Sequence, residues 1–361
     1  VKTWITYLLI GLFVLILVLI VGGWLLIRLL NYFPKEQMPA ELHCPPQSPA
    51  IASVSAQKPL RILSWNIQFG ASRKYHFFYD GGKAVVPARS DVEDTLKAIA
   101  KVIDTHQPDI ILWQEIDRDS HRTYRIDQLQ RLWRQPPYQC WAATPYHKSV
   151  YVPHPAHQHL QRVNMQLTVF SRYQIKQATR HALPQLHESF LRRAFNLKRA
   201  VLAVEIPIAG KSPLVIFNTH FSAFSFGDGT MPKQVAKYMQ LIQEAEKAKM
   251  PWLAAGDLNL LPPGDSPQRL GEEAKYYPSD QDNPLKLMFD KWRSPITPAE
   301  YHKNPQPYNT YLPFGSAKAD RWIDHLFVSN SVQITRYEVL HQYSDISDHL
   351  PILFEIHIKD Q

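Results

Sequence analysis

The sequence predicts an α/β fold, a sandwich of packed layers, preceded by one membrane-spanning helix. Three observations predict it. Residues 3–27 carry no charge and are mostly Leu, Ile, Val, Phe or Trp. From Leu60 onward, short apolar runs alternate with amphipathic helical patterns. Several of those runs are apolar at nearly every position, as strands covered on both faces are. No internal repeat and no second break in composition follows. The chain therefore divides into an anchor (1–30), a tether (31–57) and one domain (58–361).

The anchor is justified by length, since about 20 apolar residues cross a bilayer. Lys2 and Arg28 bracket the run, and Trp4, Tyr7 and Trp24 stand near its ends, where aromatic rings favour the interface. A cleaved signal peptide is the other reading; the stretch is long for one, and no convincing small-x-small cleavage site is seen. Lys2 draws one end inward, while Arg28 and Lys35 draw the other. The reading adopted is a single-pass membrane protein with its domain outside the cytoplasm. Residues 38–59 are rich in Pro, Ser and Ala with few charges, which reads as a tether holding the domain off the membrane.

Composition sets further bounds. Of 361 residues, 45% are apolar, enough for a real core. The net charge of +8 favours anionic partners: nucleic acid, phospholipid head groups or phosphorylated substrates. Two cysteines, Cys44 and Cys140, exclude a disulfide scaffold. One bridge is conceivable in an oxidising compartment, but two free thiols is the simpler reading. "HPAHQH" (154–159) lacks the spacing of a zinc site and reads as an exposed loop.

The elements follow in order. "LRILSWN" (60–66) is a strand. "SDVEDTLKAIAKVIDTH" (90–106) is a helix with a capping box from Ser90 to Glu93 and with Val92, Leu96, Ile99, Ala100 and Ile103 on one face. Strands are then expected at 108–115, 165–171, 199–207 and 213–220. A helix over 233–248 precedes strands at 251–259, 321–329 and 351–358.

Polar residues cluster where these strands end or begin. They are Asn66, Gln114-Glu115, Asn218-Thr219-His220, Asp257-Leu258-Asn259 and Asp348-His349. Singly, each is an ordinary turn residue. Asp324 is odder, because an acid within an apolar run needs a partner when buried, and His349 is a natural one. Together they would converge on one rim of the sheets, where loops on a rigid scaffold carry sites.

"RILSWNIQFG", "IILWQEID", "FNTHFS", "AAGDLN", "WIDHLFVS" and "SDISDHLPI" resemble the ordered motifs of the endonuclease/exonuclease/phosphatase superfamily, which includes exonuclease III-like enzymes, deoxyribonuclease I and neutral sphingomyelinases. The likeness spans residues 60–356, with "NMQLTVFSRYQI" (164–175) similar to the family's middle strand. It implies a four-layer α/β/β/α sandwich of two packed mixed β-sheets. It implies that Asn66 and Glu115 hold a catalytic Mg²⁺ (or Mn²⁺), with Asp348 at or near the metal. It implies that Asp257 orients or activates water, that Asn259 and His220 contact phosphate, and that His349 is catalytic with Asp324 orienting it. Asn164 and Arg199 are assigned to substrate binding. The basic run 192–199 and the loop 222–234 could form a substrate-side wall, with an ordinary solvated loop as the plain alternative.

These residue types suit phosphoester hydrolysis. A hard cation on oxygen ligands stabilises charge on phosphate oxygens, and Asp257 or His349 could serve as base. "WQEI" lacks the Thr that follows Gln-Glu in exonuclease III-like enzymes. The function expected is a membrane-tethered, Mg²⁺-dependent phosphodiesterase or phosphatase, monomeric, acting on a phospholipid, a phosphorylated small molecule or nucleic acid. A nuclease is the alternative, and a non-catalytic anion-binding module is the alternative of another class; the latter predicts eroded metal ligands, and none is missing.

Overall fold

A computed structural model describes residues 2–45, 53–55, 58–133, 137–223 and 227–359. It opens with one uninterrupted helix, α1 (Lys2–Leu30), whose apolar side chains are exposed. Beyond it, two sheets pack face to face. Their strands, in chain order, are β1 (Gln37–Pro39), β2 (Glu41–His43), β3 (Leu60–Asn66), β4 (Ile110–Asp117), β5 (Cys140–Val152), β6 (Gln161–Ser171), β7 (Gln177–Ala182), β8 (Ala200–Ile208), β9 (Lys211–His220), β10 (Trp252–Asp257), β11 (Asp324–Val328), β12 (Val332–Val339) and β13 (Ile352–Ile358). One sheet has the order β12-β13-β3-β4-β6-β5-β2, the other β1-β7-β8-β9-β10-β11. Both mix parallel and antiparallel pairs.

Strand alternation explains the layers. Ile62, Leu112, Val169, Leu202, Ile216 and Ala255 meet between the sheets. Their neighbours Leu63, Trp65, Ile111 and Trp113 face outward and pack with Val92, Leu96, Ile99 and Ile103 of α2 (Arg89–His106). On the far side, Val215, Phe217, Trp252 and Ala254 pack with Val235, Tyr238, Leu241 and Ile242 of α5 (Thr230–Lys247). This is the α/β/β/α order expected. Shorter helices are α3 (Gln128–Leu132), α4 (Phe190–Phe195), α6 (Lys286–Lys291) and α7 (Pro298–Lys303).

Three expectations change. The helix expected from Ser90 begins at Arg89 with Ala88 flanking it, so Ser90 lies in the first turn and caps nothing. The Ala88 amide donates instead to Tyr75 Oη at 2.8 Å. Second, β5, β7 and β12 were not foreseen. β5 carries Pro145, His147 and Lys148 and departs from regular pairing near Pro145, which hides its period; β12 is an edge strand with only its two end residues buried.

Third, the front of the stretch read as a tether is knitted into the domain. β1 extends one sheet beside β7 (Met38 opposite Arg180), and β2 extends the other beside β5 (Leu42 opposite Ala142). Ala40 lies between them and donates its amide to Ala178 O. That pairing sets Cys44 4.4 Å from Cys140, Cα to Cα, and the two form a disulfide rather than free thiols. The Pro/Ser-rich remainder at 46–52 and 56–57 lies outside the described residues. Thiol titration of the unreduced, urea-unfolded chain should find no free thiol, and two after reduction; two before reduction would refute the bridge.

Candidate active site

The polar strand ends meet at one rim because of strand direction. β3 and β4 run parallel, as do β9 and β10, so Asn66, Glu115, His220 and Asp257 come at or near C-terminal strand ends. β11 and β13 run antiparallel to β10 and β3, so Asp324 and the Asp348-His349 pair come at or just before N-terminal ends of the same rim. Asp257 is in register with both His220 and Asp324.

Asp257 Oδ2 is the centre. Asn66 Nδ2 donates to it at 3.1 Å, and His220 Nε2 and His349 Nε2 lie 3.1 and 3.5 Å away. Oδ1 accepts from the amide of Asn259 at 3.0 Å. His349 Nδ1 is 2.8 Å from Asp324 Oδ2. The potential ligand atoms of Asp257, Asp324 and His349 all lie within 4.8 Å of one another. Tyr146 Oη is 3.2 Å from His220 Nδ1. Asn66 turns its Oδ1 to the Gln68 amide (3.0 Å), so its nitrogen faces the acids, Glu115 included at 3.5 Å.

Glu115 arrives there by an irregularity. β4 bulges against β6 between Trp113 and Ile116, and Glu115 takes φ 62. A bulge re-aims one side chain, here swinging the carboxylate toward the rim. Gln114 instead points between the sheets, where its Nε2 donates to Asn218 Oδ1 at 2.7 Å; Asn218 Nδ2 donates to the carbonyls of Trp113 and Thr168. Gln114 and Asn218 are therefore a buried clamp beneath the site, not part of it.

Burial dominates the electrostatics. It pushes Glu115 upward, Asp348 to about 6 and Asp257 to about 7, against the opposing charge of His349 in each case. Burial disfavours a charged His349, but Asp324 and Asp257 outweigh it, and its pKa rises well above the ordinary histidine value. His220 goes the other way: burial, then Arg199 and His349, hold it well below, so it is neutral. Burial keeps Tyr146 protonated. Tyr146 Oη therefore donates to His220 Nδ1, and His220 Nε2–H donates to Asp257.

Four acids (Glu115, Asp257, Asp324, Asp348) are thus gathered out of water, with His349, Arg199, Arg122 and Arg73 acting on them. Their oxygens are the hard donors that Mg²⁺ or Mn²⁺ takes, so the donor set fits such an ion. Asp348 interacts with Glu115, Arg73 and His349 and accepts from Ser347 Oγ at 3.2 Å. Arg199 is buried, its guanidinium 5.4 Å from the Tyr146 ring, with Nη1 lacking a partner. The plain alternative for the basic run, a solvated loop, does not hold at its end, for Lys198 and Arg199 are both buried.

Two expected residues turn their side chains to other partners. Asn259 Nδ2 donates to Phe221 O at 3.2 Å, turning toward the loop after β9. Asn164 Oδ1 accepts from Gln166 Nε2, and no contact with the Asp257 cluster is recorded among the described residues. The loop 222–234 is described only in part: residues 224–226 lie outside the described set, and α5 begins at Thr230. Others were missed. Tyr146 lay in the unforeseen β5. Tyr311 packs edge-on to His349 at 5.1 Å. Arg122 makes a bidentate pair with Asp117 (2.8 and 3.1 Å), lies 3.5 Å over Phe69 and supplies positive charge to Glu115; no sequence signal tied Asp117 to a partner five residues on.

The pair Asp117–Arg122 is buried on both sides. Removing one partner of such a pair costs about 3–5 kcal/mol. Asp117→Asn should lower unfolding stability by that order, measured by urea denaturation; an unchanged midpoint and slope would refute the role given to the pair.

Comparison with known proteins gives the family and the fold. Residues 63–349 match the model of the Endonuclease/Exonuclease/phosphatase family. No curated protein matches the chain. Among solved structures, an endonuclease/exonuclease/phosphatase from Beutenbergia cavernae is 20% identical with a TM-score of 0.58, covering 83% of this chain and 72% of its own. The human Nocturnin catalytic domain with bound sulfate anion is 16% identical with a TM-score of 0.54 (89% and 99% covered). A Bacteroides vulgatus endonuclease/exonuclease/phosphatase is 14% identical with a TM-score of 0.51 (84% and 100%). At these identities the likeness speaks for the fold.

Proposed function

The chain belongs to the endonuclease/exonuclease/phosphatase family of phosphoester hydrolases, and from that premise we propose that it is a membrane-tethered, Mg²⁺-dependent phosphodiesterase or phosphatase directed at phospholipid head groups. The observation that carries the reading is the line Asp324–His349–Asp257, at 2.8 and 3.5 Å, closed by Asn66 and His220 on the same carboxylate oxygen.

Each residue has a task that its surroundings support. Asp324 fixes the His349 ring through Nδ1 and favours its cationic form, which leaves Nε2–H to bind charge building on the phosphate. Asp257, raised to about 7 by burial, is poised near neutrality to take a proton from the attacking water. Neutral His220 and Asn66 hold its Oδ2 in place. Arg199 offers its unused Nη1 hydrogens to a phosphate oxygen. Asn259 and Asn164 would meet the substrate at the margins. Glu115 and Asp348 would hold Mg²⁺ or Mn²⁺, which supplies Lewis-acid polarisation when bound; Asn66 would join them through Oδ1 once that atom leaves the Gln68 amide.

Tethering rests on α1, whose segment Thr3–Leu30 is long and apolar enough to cross a membrane (28 residues, mean hydropathy 3.0). The Cys44–Cys140 bridge supports a domain outside the cytoplasm, since disulfides persist in oxidising compartments. A substrate in the same membrane is then at high effective concentration.

Full-length protein in detergent should hydrolyse bis(p-nitrophenyl) phosphate with Mg²⁺ and lose the activity with EDTA. His349→Ala should lower kcat by about 10²–10⁴-fold, the range for a general acid–base group; activity unmoved by either treatment would overturn the assignment. On a panel of phosphatidylglycerol, sphingomyelin, phosphoinositides, plasmid DNA and RNA, the phospholipids should be the better substrates. Faster cleavage of DNA or RNA would replace the substrate class with the nuclease reading.

A further inference from the structure

We propose that the cleft between the end of α1 and α4 binds the phosphate of an anionic phospholipid and so seats the domain on the bilayer. The proposal rests on the reading of α1 as a membrane anchor.

The cleft has a volume of about 340 Å³ and is lined by Arg28, Phe33, Phe190, Arg193 and Lys198, among others. Phe33 is part of that lining. The Arg28 guanidinium lies 4.6 Å from its ring, Lys198 Nζ lies 5.8 Å away, and Phe190 stacks on it at 6.4 Å with planes 11° apart. Arg28 and Lys198 thus flank an aromatic ring, and Arg193 is the third cation lining the cleft. Among the described residues, none of the three is within ion-pairing distance of a carboxylate. The nearest acid to act on Lys198 is Glu188, and both its oxygens accept from Asn196 Nδ2 (3.0 and 2.8 Å). Lys198 Nζ donates only to backbone carbonyls, those of Arg193 and Asn196. Burial, with Arg193 and Arg180 nearby, pushes its pKa down to about 8 despite Glu188. A mobile anion is what this constellation lacks.

The place of the cleft identifies the anion's source. The end of α1 is pinned to β5: Ser149 Oγ donates to Asn31 Oδ1 at 2.7 Å, and the Tyr32 amide donates to Lys148 O. With α1 in the bilayer, Arg28 stands in its last turn, at head-group level. Arg28 and Lys35 put positive charge beside the head groups, and lipid phosphate is the anion that stands there. Apolar side chains stand ready beside it: Phe190 and Leu191 on α4, and Val150 and Tyr151 on β5, are all exposed, Leu191 by 57%. A soluble phosphate would have no use for them; a lipid surface would.

The same strand leads to chemistry. Tyr146, at His220, is three residues from Ser149, about 10 Å of strand. Lys198, in the cleft, is followed directly by Arg199, which interacts with Glu115 and Asp257. A head group in the cleft would lie beside the site without touching its reacting groups.

Full-length protein in nanodiscs of phosphatidylcholine, with or without phosphatidylglycerol, tests this. Native mass spectrometry after release into detergent should show phosphatidylglycerol retained in preference to phosphatidylcholine. Arg193→Glu should weaken that retention about tenfold or more, on the scale of about 1 kcal/mol per cation near an anionic surface, and Arg193→Lys should keep it. Both variants should unfold in urea at the wild-type midpoint, which shows they fold. Equal retention of the two lipids, or undiminished retention by Arg193→Glu, overturns the proposal. So does displacement of the lipid by millimolar inorganic phosphate, which would mark a site for soluble anions. Carbonate extraction of the chain from membranes would instead overturn the anchor reading beneath it, while loss of hydrolysis with lipid retention intact touches the catalytic reading alone.

Discussion

A single carboxylate oxygen, Asp257 Oδ2, takes its partners from both sheets: Asn66 from β3, His220 from β9, and His349 from the turn before β13. Ionised groups out of water cost several kcal/mol each unless paired and hydrogen-bonded, and four acids are gathered here. The sheets must therefore hold one mutual position to within tenths of an ångström, or the acids go unpaired. Gly256 contributes to that fit. It adopts φ +140, and a Cβ there would collide with the Thr219 carbonyl, so only glycine lets β10 lie this close to β9 ahead of Asp257. Beneath, the Gln114–Asn218 bond crosses between the sheets and ties the strand before Glu115 to the strand before His220.

The site's loops are held by groups that never face it. Trp65 Nε1 donates to His349 O at 2.8 Å, and Ser347 Oγ donates to Asn66 O at 2.9 Å, so β3 and the turn before β13 fix each other. Trp322 Nε1 donates to Asp324 O, while Thr310 Oγ1 accepts from the amides of Ile323 and Asp324 and Thr310 O accepts from Leu350 N. Thr310 therefore spans the two ends of the Asp324–His349 bond. Preorganisation of this kind removes the cost of orienting donors when charge develops.

What was legible in the sequence follows from what each feature requires. The buried strands of the two sheet centres were visible because a strand covered on both faces must be apolar at nearly every residue. The site's rim was visible because acids and histidines at strand ends break that pattern. Features that depend on a distant partner stayed hidden. Nothing in Gln37–His43 marks two strands, because short edge strands draw their order from β7 and β5 rather than from a pattern of their own. With β2 unseen, Cys44 had no neighbour, and the bridge to Cys140 could not be inferred. Tyr146 was lost with β5, whose irregular pairing scrambles its alternation. Asn164 sits on a strand that resembles the family's, and its Oδ1 accepts from Gln166 Nε2.

The pinned end of α1 changes what anchoring means. A free tether of some twenty residues would give the domain reach and leave every orientation open. Here Asn31 and Tyr32 bond to β5, the next residues join both sheets, and the disulfide locks β2 onto β5. With the helix in a bilayer, the domain keeps one strand end against the surface and can tilt but not roam. The catalytic cluster then stays at a set height near that surface, because Tyr146 and Ser149 belong to the same strand. Reach would suit a scavenger of soluble substrates; fixed height suits a substrate whose phosphate already lies in the plane of the head groups.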